Sequence, residues 1–367
     1  MTSDSFIDEP TSVLLDLVRG GAALVVLIAH GYQLGVYTGP WPFTGEIQHD
    51  AVLLFFVLSG IVIRSSVDKP GMTWRRYAAS RARRILPVAI AAVLFSTAAC
   101  MFCMWLTGAA PSADRYEQAT PAAMILPLLF LSEHPGGIGP AYDPSYWSLC
   151  YEVAYYALFG AFYFLRGWRR IFALALLSMF AGMPALLLLP SWLFGVYLAA
   201  TPAIRRIVPR QGMMLIAASL LGIATFTMIG LATRMQAVLV GWNVPLRDYG
   251  FSQHAGSDVV IGFYMALGFA GLRAVAPVLA PLLGRVAPLA RWLAAISFSL
   301  YLFHWPVIRI MLALGVTGGP SLARFFLVLL VPLAVSAFAS SILERKTPWR
   351  RLWRRSSGIM TTAPVAG

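Results

Sequence analysis

Arg19 and His30 stand eleven residues apart in LDLVRGGAALVVLIAHGYQL, an otherwise apolar stretch at residues 15–34. On an α-helix that spacing is about 1,100° of rotation, about 20° beyond three full turns, with a rise of about 16 Å. The two side chains therefore share one face at two depths. Ionisable groups inside an apolar helix are costly and normally face a cavity or the interior of a bundle. The plainer readings are an arginine that snorkels to the interface and a histidine that bonds a neighbouring helix.

Three further groups have chemistry to offer. In PSYWSLCYEVAYY, residues 144–156, Glu152 lies in the first turns of a helix entering from the outer side, at a depth that matches His30. A carboxylate there orients an imidazole and stabilises its protonated form, unless it is an interfacial glutamate beside an aromatic belt of Trp147, Tyr151, Tyr155 and Tyr156. In ISFSLYLFHWPVIR, residues 296–309, Ser297, Tyr301 and His304 form one polar stripe at helical spacing. The alternative for that stripe is interhelical hydrogen bonding, worth about 0.6–2 kcal/mol per contact in a membrane. Arg64 closes LLFFVLSGIVIR, and RYAASRARRILP gathers Arg76, Arg81, Arg83 and Arg84. Planar guanidinium forks suit the phosphates of a cytoplasmic ligand, and they suit anionic headgroups equally well.

The elements that must position these residues are membrane helices. The 367 residues are 59% hydrophobic and 12% charged, with a mean hydropathy of +0.73, and apolar runs of span length recur throughout. We read ten spans, at about 12–34, 49–66, 86–106, 145–165, 171–188, 190–203, 212–233, 258–276, 292–312 and 321–343. The apolar piece PAAMILPLLFLSE is too short to cross and is expected to be re-entrant or interfacial. The expected fold is all-α, a single polytopic membrane domain over 1–367 with a basic cytoplasmic tail at 344–367. No internal repeat and no stretch long enough for an extra soluble domain is visible.

Basic joints follow spans two, four, six, eight and ten, including RGWRR, RRIVPR and RKTPWRRLWRR. With both termini cytoplasmic they all fall on one side, as the positive-inside rule requires. The outer connections 35–48, 107–144 and 234–257 are Gly/Pro-rich and sparsely charged. The acidic N-terminus (Asp4, Asp8, Glu9) lacks the basic region of a cleaved signal, so the first span is expected to stay. The net charge of +13 sits at helix ends instead of forming an aromatic-laced stripe, so no nucleic-acid partner is expected. Cys100, Cys103 and Cys150 read as buried thiols. Without histidine or acidic companions they give no reason to expect a metal.

Taken together, Arg19 with His30, FFVLSG, RARRILP with Arg81 and Arg84, YWSLCYE with Glu152, and SFSLYLFHWP resemble, in order, the motifs of acyltransferase family 3. These are integral-membrane O-acyltransferases acting on bacterial surface or secreted glycans. The resemblance covers residues 13 to about 310. The tail ERKTP departs from the family's spacing, so Glu344 is assigned no role, and no C-terminal hydrolase-like domain of the kind some relatives carry is expected.

The resemblance implies transfer of an acyl group, most often acetyl, from cytoplasmic acyl-CoA to a hydroxyl of a glycan, at the bacterial inner membrane. Acyl-CoA is a co-substrate, and no tightly bound cofactor is implied. His30 and Glu152 become the catalytic pair; Arg19, Arg64, Arg81, Arg84, Ser297, Tyr301 and His304 become the donor-binding set. Direct attack with His30 as base and an acyl-histidine intermediate both remain open. The competing class is a transporter or flippase of a sugar-containing or anionic substrate, which also uses buried arginines and broken helices.

Overall fold

The computed structural model describes residues 6–41, 47–110, 113–134, 136–241 and 246–345. Helix α1 (Glu9–Gln33) begins at Asp8, whose carboxylate accepts from the Thr11 amide at 2.9 Å, with Pro10 in the first turn. Such a cap satisfies an orphan amide and fixes where the helix starts. Then come α2 (Ile47–Val67) and α3 (Trp74–Thr107), the latter capped by Thr73 and stopped by Gly108 at φ +67°. The short α4 is Ala122–Leu128, followed by α5 (Trp147–Phe164), α6 (Gly167–Ala200), α7 (Pro209–Met228) and α8 (Leu231–Gly241). Helices α9 (Ala255–Ala313) and α10 (Leu322–Ser340) complete the order. No strand occurs among the described residues, and one isolated bridge joins Tyr37 to Gly319.

Among the described residues, seven helices are long and apolar enough to cross a membrane by length and composition. Two of them double back. In α6 the turn is Gly182, at φ 75° and ψ 162°, a region open in practice to glycine alone. Before it the chain runs towards His134, whose Nε2 meets the Phe180 carbonyl; after it the chain runs beside α5, with Tyr155 touching Ala185 and Phe159 touching Trp192. In α9, Arg273 pairs with Asp8 at 3.8 Å and Arg291 with Glu9 at 3.4 Å. Eighteen residues of straight helix would separate the two arginines by about 27 Å. Neighbouring partners therefore require a bend, and Pro277, Pro281 and Pro288 lie in it.

The described residues are all-α and polytopic as expected, with α6 and α9 each bent into two arms and α5 a further buried helix. α4 is the short non-crossing piece expected from PAAMILPLLFLSE. Three details differ from the sequence reading. The joint within α6 falls at Gly182 instead of beside Pro190, because Gly182 supplies the required backbone angles and Pro190 lies inside the second arm. Residues 277–291, expected as a basic joint between two spans, are helical and carry the bend of α9. The 234–257 connection carries most of α8, whose run LATRMQAVLVG holds no proline. The expected basic tail from 346 onwards lies outside the described residues.

α2 lies directly against the second arm of α6. A Cβ added at Gly60 would strike the Trp192 carbonyl, and one at Gly195 the Val57 carbonyl, so the two backbones meet as small residues allow. α7 runs antiparallel to the first arm of α9, with Gly212 beside Ala274, Ser219 beside Gly268 and Gly222 beside Tyr264. The second arm of α9 packs along α1, from Leu293 at Gly20 to His304 at His30. Phe56, Trp147, Tyr151, Tyr155 and Trp192 fill the centre, while Trp105, Phe172, Leu221 and Phe338 face outwards, as a lipid-facing surface requires.

Candidate active site

His30 reaches the site from the last turn of α1 and meets His304 on the returning arm of α9. His30 Nδ1 and His304 Nε2 are 2.7 Å apart, and His304 Nδ1 lies 2.8 Å from the Leu300 carbonyl. The two imidazoles are nearly coplanar, at 2°, with centroids 5.0 Å apart. That separation is the nitrogen–nitrogen distance plus the two ring radii, so the rings meet edge to edge in one plane instead of stacking. Trp305 packs its ring against His30 at 74°. His30 lines a cavity of about 530 Å³ together with Gln33, Gln48, His49, Trp147 and Trp305. His304 is fully buried and lines none of the cavities described here.

A second, narrower cavity of about 70 Å³ opens towards the arginine-rich end, lined by Arg19, Arg84, Ser59, Glu152, Tyr156 and Ser297 among others. Ser59 donates to Glu152 Oε1 at 2.7 Å, Tyr156 also donates to that oxygen, and Trp192 Nε1 donates to Ser59 at 3.3 Å. Arg19 and Glu152 line the same cavity. The expected pairing of Glu152 with His30 is therefore corrected: Glu152 shares a cavity with Arg19, and His304 holds His30. The depth count failed because residues 140–143 and 145–147 are themselves buried, Asp143 and Tyr146 completely, so α5 starts inside the bundle and Glu152 lies more than one turn further along it. Val52 and Tyr301 line both cavities. Ser148 donates to the Tyr301 hydroxyl at 2.8 Å and fixes that ring between them.

Residues 13–341, nearly the whole chain, match the family model described as "Acyltransferase domain". The chain belongs to acyltransferase family 3. It is an acyltransferase enzyme of a multi-pass membrane type. Comparison with curated proteins and with solved structures returns no match.

Within this acyltransferase, Arg19, Arg84, Ser297 and Tyr301 of the expected donor set come together around one cavity. Arg64, Arg81 and His304 do not line it. Arg64 pairs with Asp68 and lies over the Tyr163 ring, and Arg81 bonds Ser80 and lies over Tyr156. Several neighbours escaped the sequence reading. His49 meets Asp258 at 3.1 Å in a buried pair on the wall of the larger cavity, and Ser299 donates to Glu344 at 2.6 Å. No local spacing announces contacts between residues so far apart in the chain. The rim of the larger cavity carries Arg115, which bonds Glu133 at 3.0 Å, and Tyr116, which donates to Glu133 at 2.6 Å. Burial outweighs both partners and holds the Glu133 carboxyl above its ordinary range.

Proposed function

We propose that this enzyme moves an acyl group, most often acetyl, from cytoplasmic acyl-CoA to a hydroxyl of a carbohydrate or glycoconjugate at the bacterial inner membrane, with both termini cytoplasmic. The observation that carries the reading is the pair of cavities that share Val52 and Tyr301 in their walls, one edged by arginines and the other by His30. Arg84 and Arg19 favour the anionic end of the donor by charge, Glu152 and Ser59 suit the amide N–H groups of a pantetheine arm, and the arm leads past Tyr301 towards His30.

His30 then acts as general base. The acceptor oxygen attacks the thioester carbonyl carbon, its proton passes to the imidazole, the carbon–sulfur bond breaks, and the imidazolium returns the proton to the departing thiolate. A histidine is suited to that exchange near neutral pH, and such a base contributes about 10²- to 10⁴-fold. The cavity at His30 is wide and edged by Trp147, Trp305, Gln33 and Gln48, a mixture of flat apolar faces and amides that suits a polyhydroxylated ring.

The test is purified protein in lipid with radiolabelled acetyl-CoA and candidate glycans. Label is expected to move to the glycan with wild type and to fall by at least about 100-fold with His30→Ala. Full transfer by His30→Ala would remove the assignment of His30, and movement of intact substrate without transfer would favour a transporter.

A further inference from the structure

We infer that His304, with the Leu300 carbonyl behind it, is the positioning residue that sets the tautomer of His30 and leaves His30 Nε2 as the lone-pair nitrogen facing the acceptor cavity. The inference rests on the reading of His30 as base, and it follows from who can donate to whom. A carbonyl oxygen has no hydrogen to give, so the 2.8 Å contact requires the hydrogen on His304 Nδ1. In a neutral His304, Nε2 is then an acceptor, and at 2.7 Å it must receive a hydrogen from His30 Nδ1. One hydrogen per neutral ring leaves His30 Nε2 with its lone pair.

The geometry is that of a directed bond. Both rings lie within 2° of one plane, with the contact along the line of centres, which points the hydrogen into an in-plane sp² lone pair. His304 is fully buried and lines neither cavity, so it has no route to donor or acceptor and works through His30 alone. No hydrogen bond joins either ring to a carboxylate among the described residues. The part that a carboxylate plays behind many catalytic histidines falls here to a second imidazole leaning on a backbone oxygen.

The chain also serves the step itself. When His30 Nε2 takes the hydroxyl proton, the positive charge that develops is spread towards His304 through a bond already made, and that bond costs no reorganisation. His30 Nε2 then returns the proton to the leaving thiolate, which restores the starting tautomer with every proton accounted for.

The test is ¹⁵N NMR of histidine-labelled protein in lipid nanodiscs, with the His30 signals assigned by their loss in His30→Ala. The inference expects pyrrole-type Nδ1 and pyridine-type Nε2 at His30. The reverse assignment in wild type would overturn it, whatever the variants do. His304→Gln places an amide oxygen where His304 Nε2 was and is expected to preserve the Nδ1–H signature and a measurable part of kcat. His304→Leu is expected to scramble the signature and lower kcat about 100-fold or more, with the donor KM within about twofold. An intact signature or unchanged kcat in His304→Leu would overturn the inference. If His30→Ala itself transfers acyl groups, the base assignment fails while the NMR result still stands or falls alone.

Discussion

A carboxylate bonded by both Ser59 and Tyr156, in a cavity that Arg19 also lines, is held to the shape of that cavity and not to His30. Glu152→Gln is therefore expected to raise the donor KM by about 10- to 100-fold, the worth of a charge-assisted bond, and to lower kcat less. Steady-state kinetics against acyl-CoA check this; a fall in kcat at unchanged KM would return Glu152 to the reacting centre. Asp143 behaves differently. Its carboxyl is fully buried before α5, and burial pushes it well above the usual carboxylate value. The folded chain then holds a proton that the unfolded chain releases, so the stability present below the ordinary value of 3.8 is given up as pH rises towards the raised one. Each unit of that displacement is worth about 1.4 kcal/mol. The thermal midpoint of wild type is expected to fall between mildly acidic and mildly alkaline buffer, and Asp143→Asn to flatten that slope. His30, Arg19 and Glu152 were legible as residue types in unusual places. Their partners were not, because His30 and His304 lie far apart in the chain and nothing in either segment encodes the meeting.

The contact of α2 with α6 is made by what is missing. With no side chain at Gly60 and Gly195, the backbones come close enough for Trp192 to reach Ser59, and through Ser59 the helix pair is tied to Glu152. Gly60→Val has to push the helices apart, so it is expected to lower the thermal midpoint and weaken donor binding together, whereas a substitution on an outward face such as Leu221→Ala leaves donor binding unchanged. Gly182→Ala places a Cβ on backbone angles that cost about 1–3 kcal/mol outside glycine, and its expected effect is a lower midpoint with little change in KM. Differential scanning fluorimetry and donor titration separate the two. Hydropathy exposed the all-α, many-span character because apolar length is local. It misplaced the turn in α6 and opened the bend in α9 because proline and glycine mark where a helix can change direction, and packing decides how.

At the scale of the molecule, two cavities share Val52 and Tyr301 in their walls, and the proposed function uses that arrangement for transfer and not for transport. A transporter needs its substrate to pass whole, whereas the proposed transfer needs only an acyl-bearing arm to pass Val52 and Tyr301, which line both the arginine-edged slot and the larger chamber. Tyr301 holds its place through Ser148. On the proposed function its loss enlarges the space beside the thioester and is expected to admit more water there. Tyr301→Ala is thus expected to raise donor hydrolysis relative to acyl transfer by about tenfold or more, the effect of losing water exclusion at a reacting centre, while Tyr301→Phe keeps most of the partition and shows a smaller rise. The measurement is the ratio of free acid to acylated acceptor in vesicles that receive acyl-CoA on one face and acceptor on the other. An unchanged ratio in Tyr301→Ala would mean that water is excluded elsewhere. Appearance of intact CoA on the acceptor side would mean that the two chambers connect widely enough for transport after all.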